Sequence, residues 1–110
     1  MNKIKVVVIG AGYMAQEHIK VFSAINGVNV VGIHSRTKSK AQSVAAQFNI
    51  PFVAETITDL YEKTKADLLV IAVSEMSVYS VIQQAFKYLW LSLIEKPAGY
   101  NFENALLIKD

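Results

Sequence analysis

Residues 4–36 contain the feature that most constrains the fold of this chain. A mostly apolar run, Ile4 to Ile9, leads into Gly10, Gly12 and Ala15 at the spacing Gly-x-Gly-x-x-Ala, and a helical pattern follows. A second apolar run comes after the helix, at the spacing of a compact βαβ unit. Strand, glycine turn, helix and strand in this order are typical of a dinucleotide-binding unit.

The small residues of this turn each have a physical role in such a unit. Gly10 permits a tight turn off the first strand, Gly12 lets the backbone approach a pyrophosphate, and Ala15 lets the helix pack on the strand. The phosphates are expected at the N-terminus of the helix, where unpaired N–H groups and the helix dipole attract anions. Predicted cofactor contacts here are Gly10, Gly12, Tyr13 and Met14. The alternative interpretation is an ordinary structural turn.

Length and composition limit the other possibilities. With 110 residues, 53% of them hydrophobic, the chain fits one domain with a sizeable core. No apolar run approaches the roughly 20 residues that span a bilayer, and no signal-peptide pattern is present, which predicts a soluble, cytoplasmic protein without a membrane partner. The absence of cysteine excludes disulfides and thiolate metal sites, and no metal site is predicted. A net charge of +2 with dispersed basic residues argues against nucleic acid as a partner.

Strand-like runs alternate with helical patterns along the chain. The runs are Lys3 to Ile9, Val28 to His34, Phe52 to Val53, Asp67 to Val73 and Leu91 to Ile94. This alternation predicts an α/β fold, a doubly wound parallel (Rossmann) sheet in a three-layer αβα arrangement. Right-handed crossovers give the strand order 3-2-1-4-5, which reverses between the first and fourth strands. Ligand is expected at the carboxyl ends of those strands, with Val73 and Ser74 opposite the glycine turn.

Local signals predict several helix ends. Thr56, with Asp59 three positions later, is expected to cap the third helix. Asn49 is expected to stop the second helix, and Gly27 can end the first in a left-handed conformation. A last helix is expected to begin near Asn101.

The residues after the second strand distinguish between dinucleotides. An acidic residue about 20 positions beyond the glycine motif binds the ribose of NAD, but Ser35 and Arg36 occupy that region here. Ser35 can donate to a 2′-phosphate and Arg36 can pair with it, while Lys38 and Lys40 add positive potential. A charge-assisted hydrogen bond contributes about 1.5–3 kcal/mol, so NADP is predicted as the preferred cofactor and NAD as the weaker alternative. The other interpretation is a solvated Arg36 and a Ser35 that serves only the turn.

The tripeptide Glu95-Lys96-Pro97 follows the fifth strand. With the glycine motif and His18 early in the first helix, it makes the whole chain resemble the N-terminal half of the glucose-fructose oxidoreductase, inositol dehydrogenase and rhizopine-catabolism (Gfo/Idh/MocA) family. Members of that family use NAD or NADP to oxidise or reduce hydroxyl and keto groups of sugars, sugar nucleotides, cyclitols and related molecules.

The resemblance implies roles for these residues. Lys96 would lie near the nicotinamide and the reacting oxygen as the catalytic residue, because an ammonium group there stabilises negative charge on the oxygen. Glu95 would bind or orient neighbouring groups, and Pro97 would fix the turn, so all three are predicted to contact cofactor. In the alternative, Glu95 and Lys96 are a solvated pair and Pro97 only stops the strand. His18 is interpreted as a packed structural residue.

The chain departs from the family pattern in three places. Ser74 and Tyr79 stand where members commonly have a Thr-Pro pair and a later histidine. The segment from Lys87 to Trp90 lacks the usual glycine, which predicts an irregular or poorly packed junction. Family members continue into a C-terminal domain that supplies most substrate contacts and usually the oligomer interface, whereas this chain stops at Asp110, as a truncated piece or a naturally shortened product.

Residues 1–110 are therefore predicted to be the dinucleotide-binding domain of an NADP-preferring oxidoreductase. The parent enzyme is expected to be a homo-oligomer that acts on a small carbohydrate-like substrate. The domain alone is expected to bind cofactor with little or no turnover, because positioning of substrate is worth several kcal/mol. The main alternative is a stand-alone dinucleotide sensor or partner module. A methyltransferase that uses S-adenosylmethionine shares the glycine turn, but Ser35, Arg36 and the Glu-Lys-Pro tripeptide argue against it.

Overall fold

The computed structural model describes residues 3–73, 75–88, 90–94 and 105–108. The strands are β1 (Ile4–Ile9), β2 (Val28–His34), β3 (Phe52–Ala54), β4 (Leu68–Ile71), β5 (Leu91–Ile94) and β6 (Ala105–Ile108). The helices are α1 (Tyr13–Ser23), α2 (Lys38–Phe48), α3 (Ile57–Thr64) and α4 (Glu75–Ala85).

All the strands belong to one sheet in the order β3-β2-β1-β4-β5-β6. The strands β1 to β5 are parallel to one another, which confirms the predicted order 3-2-1-4-5. β1 pairs with β4 from Val6 opposite Leu68 to Ile9 opposite Ile71. The carboxyl ends of these two strands therefore lie side by side, where the strand order reverses.

The expectation of a helix from about Asn101 is wrong over residues 105–108, which form β6. This strand is antiparallel to β5, with Leu91 opposite Ile108 and Ile94 opposite Ala105. A short apolar run is compatible with a helix or a strand by its pattern alone. Residues 105–108 form a strand because the N–H and C=O groups on the open edge of β5 are available to pair with them.

The side chains of β1 alternate between two helix layers. Val6 and Val8 pack with residues of α1 and α2, whereas Val7 and Ile9 pack with residues of α3 and α4. All four are almost completely buried. A strand covered on both faces must be apolar throughout, which explains the unbroken apolar run in the sequence. The predicted three-layer arrangement is confirmed.

β2 carries one extra residue relative to β1. Val6 lies opposite Val30 but Val7 lies opposite Gly32, so Val31 forms a bulge. Helix α3 approaches the sheet closely at this place: a Cβ atom on Gly32 would lie 2.9 Å from Cδ1 of Leu60. The glycine therefore leaves the space in which the helix packs.

The helix ends follow the sequence signals in most cases. The hydroxyl of Thr56 accepts a hydrogen bond from the backbone N–H of Asp59 at 3.0 Å, which confirms the cap of α3. Asn49 ends α2 in the left-handed region, with φ of 59°. Gly27 also has a positive φ, 84°. It lies beyond the end of α1 at Ser23, so its conformation serves the turn into β2 and not a helix cap.

Aromatic side chains pack the junction between α4 and β5. Trp90 is 3% exposed, and its ring centroid lies 5.0 Å from that of Tyr61 and 5.7 Å from that of Tyr88. Its Nε1 donates to the carbonyl of Ala85 at 2.9 Å, and Tyr88 stacks on Tyr61 at 4.9 Å. The expectation of poor packing is wrong here, because large rings fill the junction that a glycine turn would otherwise close.

Replacement of Trp90 by alanine is expected to lower the free energy of unfolding by about 3–5 kcal/mol, because a buried ring and a donor to a buried carbonyl are lost. Urea-induced unfolding measures this loss. Tyr79→Ala is the control, since that side chain is 76% exposed, and we expect a change within about 0.5 kcal/mol. Equal losses in the two variants would contradict a special packing role for the aromatic cluster.

Candidate functional site

A cavity of about 580 Å³, here called the first cavity, opens at the carboxyl ends of β1 and β4. The turn after β1, the loop after β2, one face of α2 and the residues after β4 form its walls. The described residues that line it are Gly10, Ala11, Gly12, Gln16, Ser35, Arg36, Thr37, Lys40, Ser43, Val44, Gln47, Ala72 and Val73. Among them are these predicted contacts: Gly10, Gly12, Ser35, Arg36, Lys40 and Val73.

Gly10 joins the ends of three strands. Its φ is +127°, and a Cβ atom here would lie 2.1 Å from the carbonyl oxygen of Ala72. Its N–H donates to the carbonyl of His34 at 2.8 Å, and the N–H of Ala72 donates to the carbonyl of Ile9 at 2.9 Å. Only glycine satisfies both the backbone conformation and the close approach.

Gly12 has a different reason to be glycine. It is the N-cap of α1 with φ of −84°, and no atom of the described residues outside its immediate neighbours lies within 4 Å of the place where its Cβ would be. Within the described part of the chain, no side chain caps α1 and no acidic residue lies in its first turn. Unpaired N–H groups therefore face an open space that fits a pyrophosphate.

Ser35 serves the loop after β2 and keeps a donor. Its hydroxyl oxygen accepts a hydrogen bond from the backbone N–H of Thr37 at 3.2 Å. This is the turn role of the alternative interpretation. A hydroxyl that accepts still carries its own proton, so Ser35 can also donate to an anion in the first cavity.

The cations near the N-terminus of α2 have separate environments. Arg36 and Lys40 line the first cavity. Lys38 instead forms an ion pair with Glu55, and the hydrogen bond and charge of Lys38 lower the pKa of that carboxyl group. The positive potential expected from Lys38 is therefore offset by Glu55. Cations at a helix N-terminus are unfavourable with the helix dipole, so Arg36 and Lys40 in this place favour an anionic ligand.

Several lining residues were not identified from the sequence. Ser43 and Gln47 follow Lys40 by three and seven positions, so all three share one face of α2. That spacing is the signal by which they could have been found. Gln16 donates from Nε2 to the carbonyl of Ala11 at 3.3 Å across the glycine turn, and no sequence signal distinguishes it from other surface glutamines.

Other predicted residues lie elsewhere. Tyr13 and Met14 begin α1, but neither is among the described residues that line the first cavity, and Tyr13 is 73% exposed. His18 is half-buried in α1 and is also outside that lining.

The predictions for Ser74, Glu95, Lys96 and Pro97 concern residues outside the described ranges and stay predictions.

A second cavity of about 300 Å³ adjoins the first, because Arg36 and Val73 line both. It lies toward α3 and α4. Its other lining residues are Ile9, His34, Ile57, Ser80, Val81 and Gln84. The two cavities together follow the edge of the sheet at the point where the strand order reverses.

The described ranges contain neither a metal-binding cluster nor a membrane-spanning helix. No group of three or more histidine and acidic residues there could hold a metal ion. No helix in those ranges is long and apolar enough to cross a membrane.

A glycine turn at an uncapped helix end, where a doubly wound sheet reverses its strand order, defines a dinucleotide-binding Rossmann domain. The Gfo/Idh/MocA model, described as an oxidoreductase family with an NAD-binding Rossmann fold, matches residues 4–109. The chain belongs to this family, which confirms the resemblance drawn from the sequence. A comparison with curated protein sequences finds no significant match.

Solved structures share the fold. Myo-inositol dehydrogenase from Lactobacillus casei, in complex with NAD(H) and myo-inositol, has a TM-score of 0.79 and 23% identity over 86% of this chain and 29% of that one. UDP-N-acetylglucosamine 3-dehydrogenase from Acidithiobacillus ferrooxidans gives 0.76 and 24%, over 88% and 31%. Biliverdin reductase from Synechocystis sp. PCC 6803, in complex with biliverdin and NADP⁺, gives 0.75 and 20%, over 86% and 29%. The chain spans less than a third of each of these proteins.

The two glycines of the turn are expected to differ in their effect on stability. Gly10→Ala should lower the free energy of unfolding by about 3 kcal/mol or more, because it combines a steric clash with a strained φ. Gly12→Ala should change it by less than about 1 kcal/mol, since its φ is ordinary and the space is open. Thermal unfolding of both variants tests this. A Gly12→Ala protein as unstable as Gly10→Ala would show that Gly12 is required by the fold.

Proposed function

We propose that this chain is the cofactor-binding domain of an NADP-preferring oxidoreductase. The parent enzyme moves a hydride to or from a hydroxyl or keto group of a sugar, a sugar nucleotide or a cyclitol. The observation that carries the proposal is the first cavity, where the uncapped end of α1 meets two cations, Arg36 of the loop after β2 and Lys40 of α2.

The lining residues match the parts of a phosphorylated dinucleotide. Gly12 and the first N–H groups of α1 suit the pyrophosphate, which needs hydrogen-bond donors more than a charged side chain. The hydroxyl of Ser35 and the cations of Arg36 and Lys40 suit a 2′-phosphate, since an acidic residue for a free 2′-hydroxyl is absent from this part of the described chain. The preference for NADP over NAD follows from these three side chains.

When bound, the nicotinamide ring supplies or accepts the hydride. From the family resemblance we assign Lys96 to the reacting oxygen, where its ammonium group stabilises negative charge and holds or releases a proton. Glu95 and Pro97 orient this segment, and we also assign a cofactor contact to Ser74, the residue after Val73 in the sequence. Substrate contacts are assigned to the family's second domain, so this chain alone binds cofactor with little or no turnover.

The substrate class is proposed from the same resemblance. One structural neighbour is a dehydrogenase in complex with myo-inositol, and another is named for a sugar nucleotide. A homo-oligomeric parent enzyme is part of the proposal, because the family's second domain usually forms the interface.

Calorimetric titration of the purified chain with NADPH and NADH tests the proposal directly. We expect both to bind, with NADPH tighter by about tenfold to hundredfold, which corresponds to one charge-assisted contact to the 2′-phosphate. Tighter binding of NADH would contradict the NADP preference. No binding of either would contradict the proposed function.

Arg36→Ala is expected to weaken NADPH binding by about tenfold or more and to change NADH binding little, because the lost contact is to the 2′-phosphate. The same titration measures both affinities. Lys38→Ala is the matched control: it removes the same charge two residues away, from a side chain that pairs with Glu55. Equal losses for NADPH and NADH in Arg36→Ala would remove the phosphate role from this residue.

A further inference from the structure

We propose that Gln16 is a positioning residue for the pyrophosphate: its side chain holds the peptide unit between Ala11 and Gly12 in one orientation and thereby fixes the direction of the N–H of Gly12. The inference rests on the proposed function, since the pyrophosphate belongs to the same dinucleotide. It assigns a role to a side chain that is not one of the small residues of the glycine motif.

Gln16 is joined to the glycine turn by two hydrogen bonds. Its backbone N–H donates to the carbonyl of Gly12 at 3.1 Å, at the start of α1. Its side-chain Nε2 donates to the carbonyl of Ala11 at 3.3 Å. A carbonyl oxygen only accepts, so the nitrogen and not the oxygen of the side-chain amide must face it. One residue therefore holds two successive carbonyl groups of the turn.

The hydrogen bond to Ala11 acts on the next N–H through the peptide unit itself. A trans peptide unit is planar, and its C=O and N–H bonds point in opposite directions. The carbonyl of Ala11 and the N–H of Gly12 belong to one such unit. A restraint on the direction of this carbonyl is therefore also a restraint on the N–H, which is one of the donors assigned to the pyrophosphate.

Steric contacts do not supply this restraint. Within the described ranges, no atom beyond the immediate neighbours lies within 4 Å of the place where a Cβ of Gly12 would be, and glycine accepts φ values of either sign. Gly10 differs, because the carbonyl of Ala72 confines it. The side chain of Gln16 lines the first cavity beside this open unit. A donor that is ordered before the ligand arrives loses less freedom on binding.

The inference predicts an effect that depends on the ligand. NADPH and NADH both contain a pyrophosphate, so both depend on the N–H of Gly12. Adenosine 2′-monophosphate contains only the phosphate assigned to Ser35, Arg36 and Lys40. Loss of the Gln16 donor should therefore weaken the two dinucleotides by the same factor and leave the monophosphate unaffected.

The first test is a titration of Gln16→Met, which keeps the length of the side chain and removes its donor. By calorimetry, NADPH and NADH should each bind about threefold to tenfold more weakly than to the wild-type chain, the usual effect of one hydrogen bond. Adenosine 2′-monophosphate, titrated by NMR, should bind both proteins equally. Equal weakening of all three ligands would overturn the inference, and so would unchanged binding of the dinucleotides.

The second test measures the order parameters of backbone N–H groups in the ligand-free chain by NMR relaxation. In the wild-type chain the N–H of Gly12 should be as ordered as those within α1. In Gln16→Met its order parameter should fall, while that of Gly27 should stay the same. An unchanged value for Gly12 would overturn the inference even if affinity fell, because Gln16 would then act on the ligand directly.

The matched control is Gln42→Met, which makes the same change at an exposed residue of α2 outside the lining of the first cavity. It should change neither the affinities nor the order parameter of Gly12, and a loss equal to that of Gln16→Met would overturn the inference. Failure of the wild-type chain to bind either dinucleotide would overturn the proposed function. The order parameter of Gly12 tests the restraint by Gln16 in either case, since it needs no ligand.

Discussion

The approach of Gly10 to the carbonyl of Ala72 is the constraint on which the rest of the site depends. A side chain at this position would push the ends of β1 and β4 apart, because the carbonyl oxygen occupies its place. These two strands diverge into helices on opposite sides of the sheet, and the space between the helices is the binding region. The hydrogen bonds from Gly10 to His34 and from Ala72 to Ile9 hold the carboxyl ends of β1, β2 and β4 next to one another. The need for a glycine at position 10 thus determines where a ligand can enter.

The attraction of the first cavity for anions comes from where its charges and helix end lie, more than from the net charge of the chain. The net charge of the chain is only +2, yet the N-terminus of α1 and two cations near α2 point toward one cavity. Glu55 neutralises Lys38 on the outer side of the same loop. Attraction for an anion is therefore local, and beyond about 8 Å it is largely screened at physiological salt. This arrangement favours an anion in the first cavity without making the whole surface attractive to polyanions.

The fold was largely predictable because its signals are local. Alternating strand and helix patterns determine the order of β1 to β5, and the Gly-x-Gly-x-x-Ala spacing locates the first cavity. What could not be predicted depends on distant partners. The ion pair of Lys38 joins residues 17 positions apart, and the packing around Trp90 includes Tyr61 of α3, 29 positions earlier in the chain. The apolar run of β6 became a strand because an open sheet edge was available.

The bulge at Val31 determines which cavity receives which side chain. Side chains of a strand alternate between faces, so one inserted residue exchanges the faces of every residue that follows. With the bulge, Ile33 lies in the core beneath α1 and α2, and His34 lines the second cavity. With a regular strand, His34 would instead lie on the α1 and α2 face of the sheet and Ile33 on the α3 and α4 face. The extra residue in β2 therefore determines which side chain of this strand the second cavity receives.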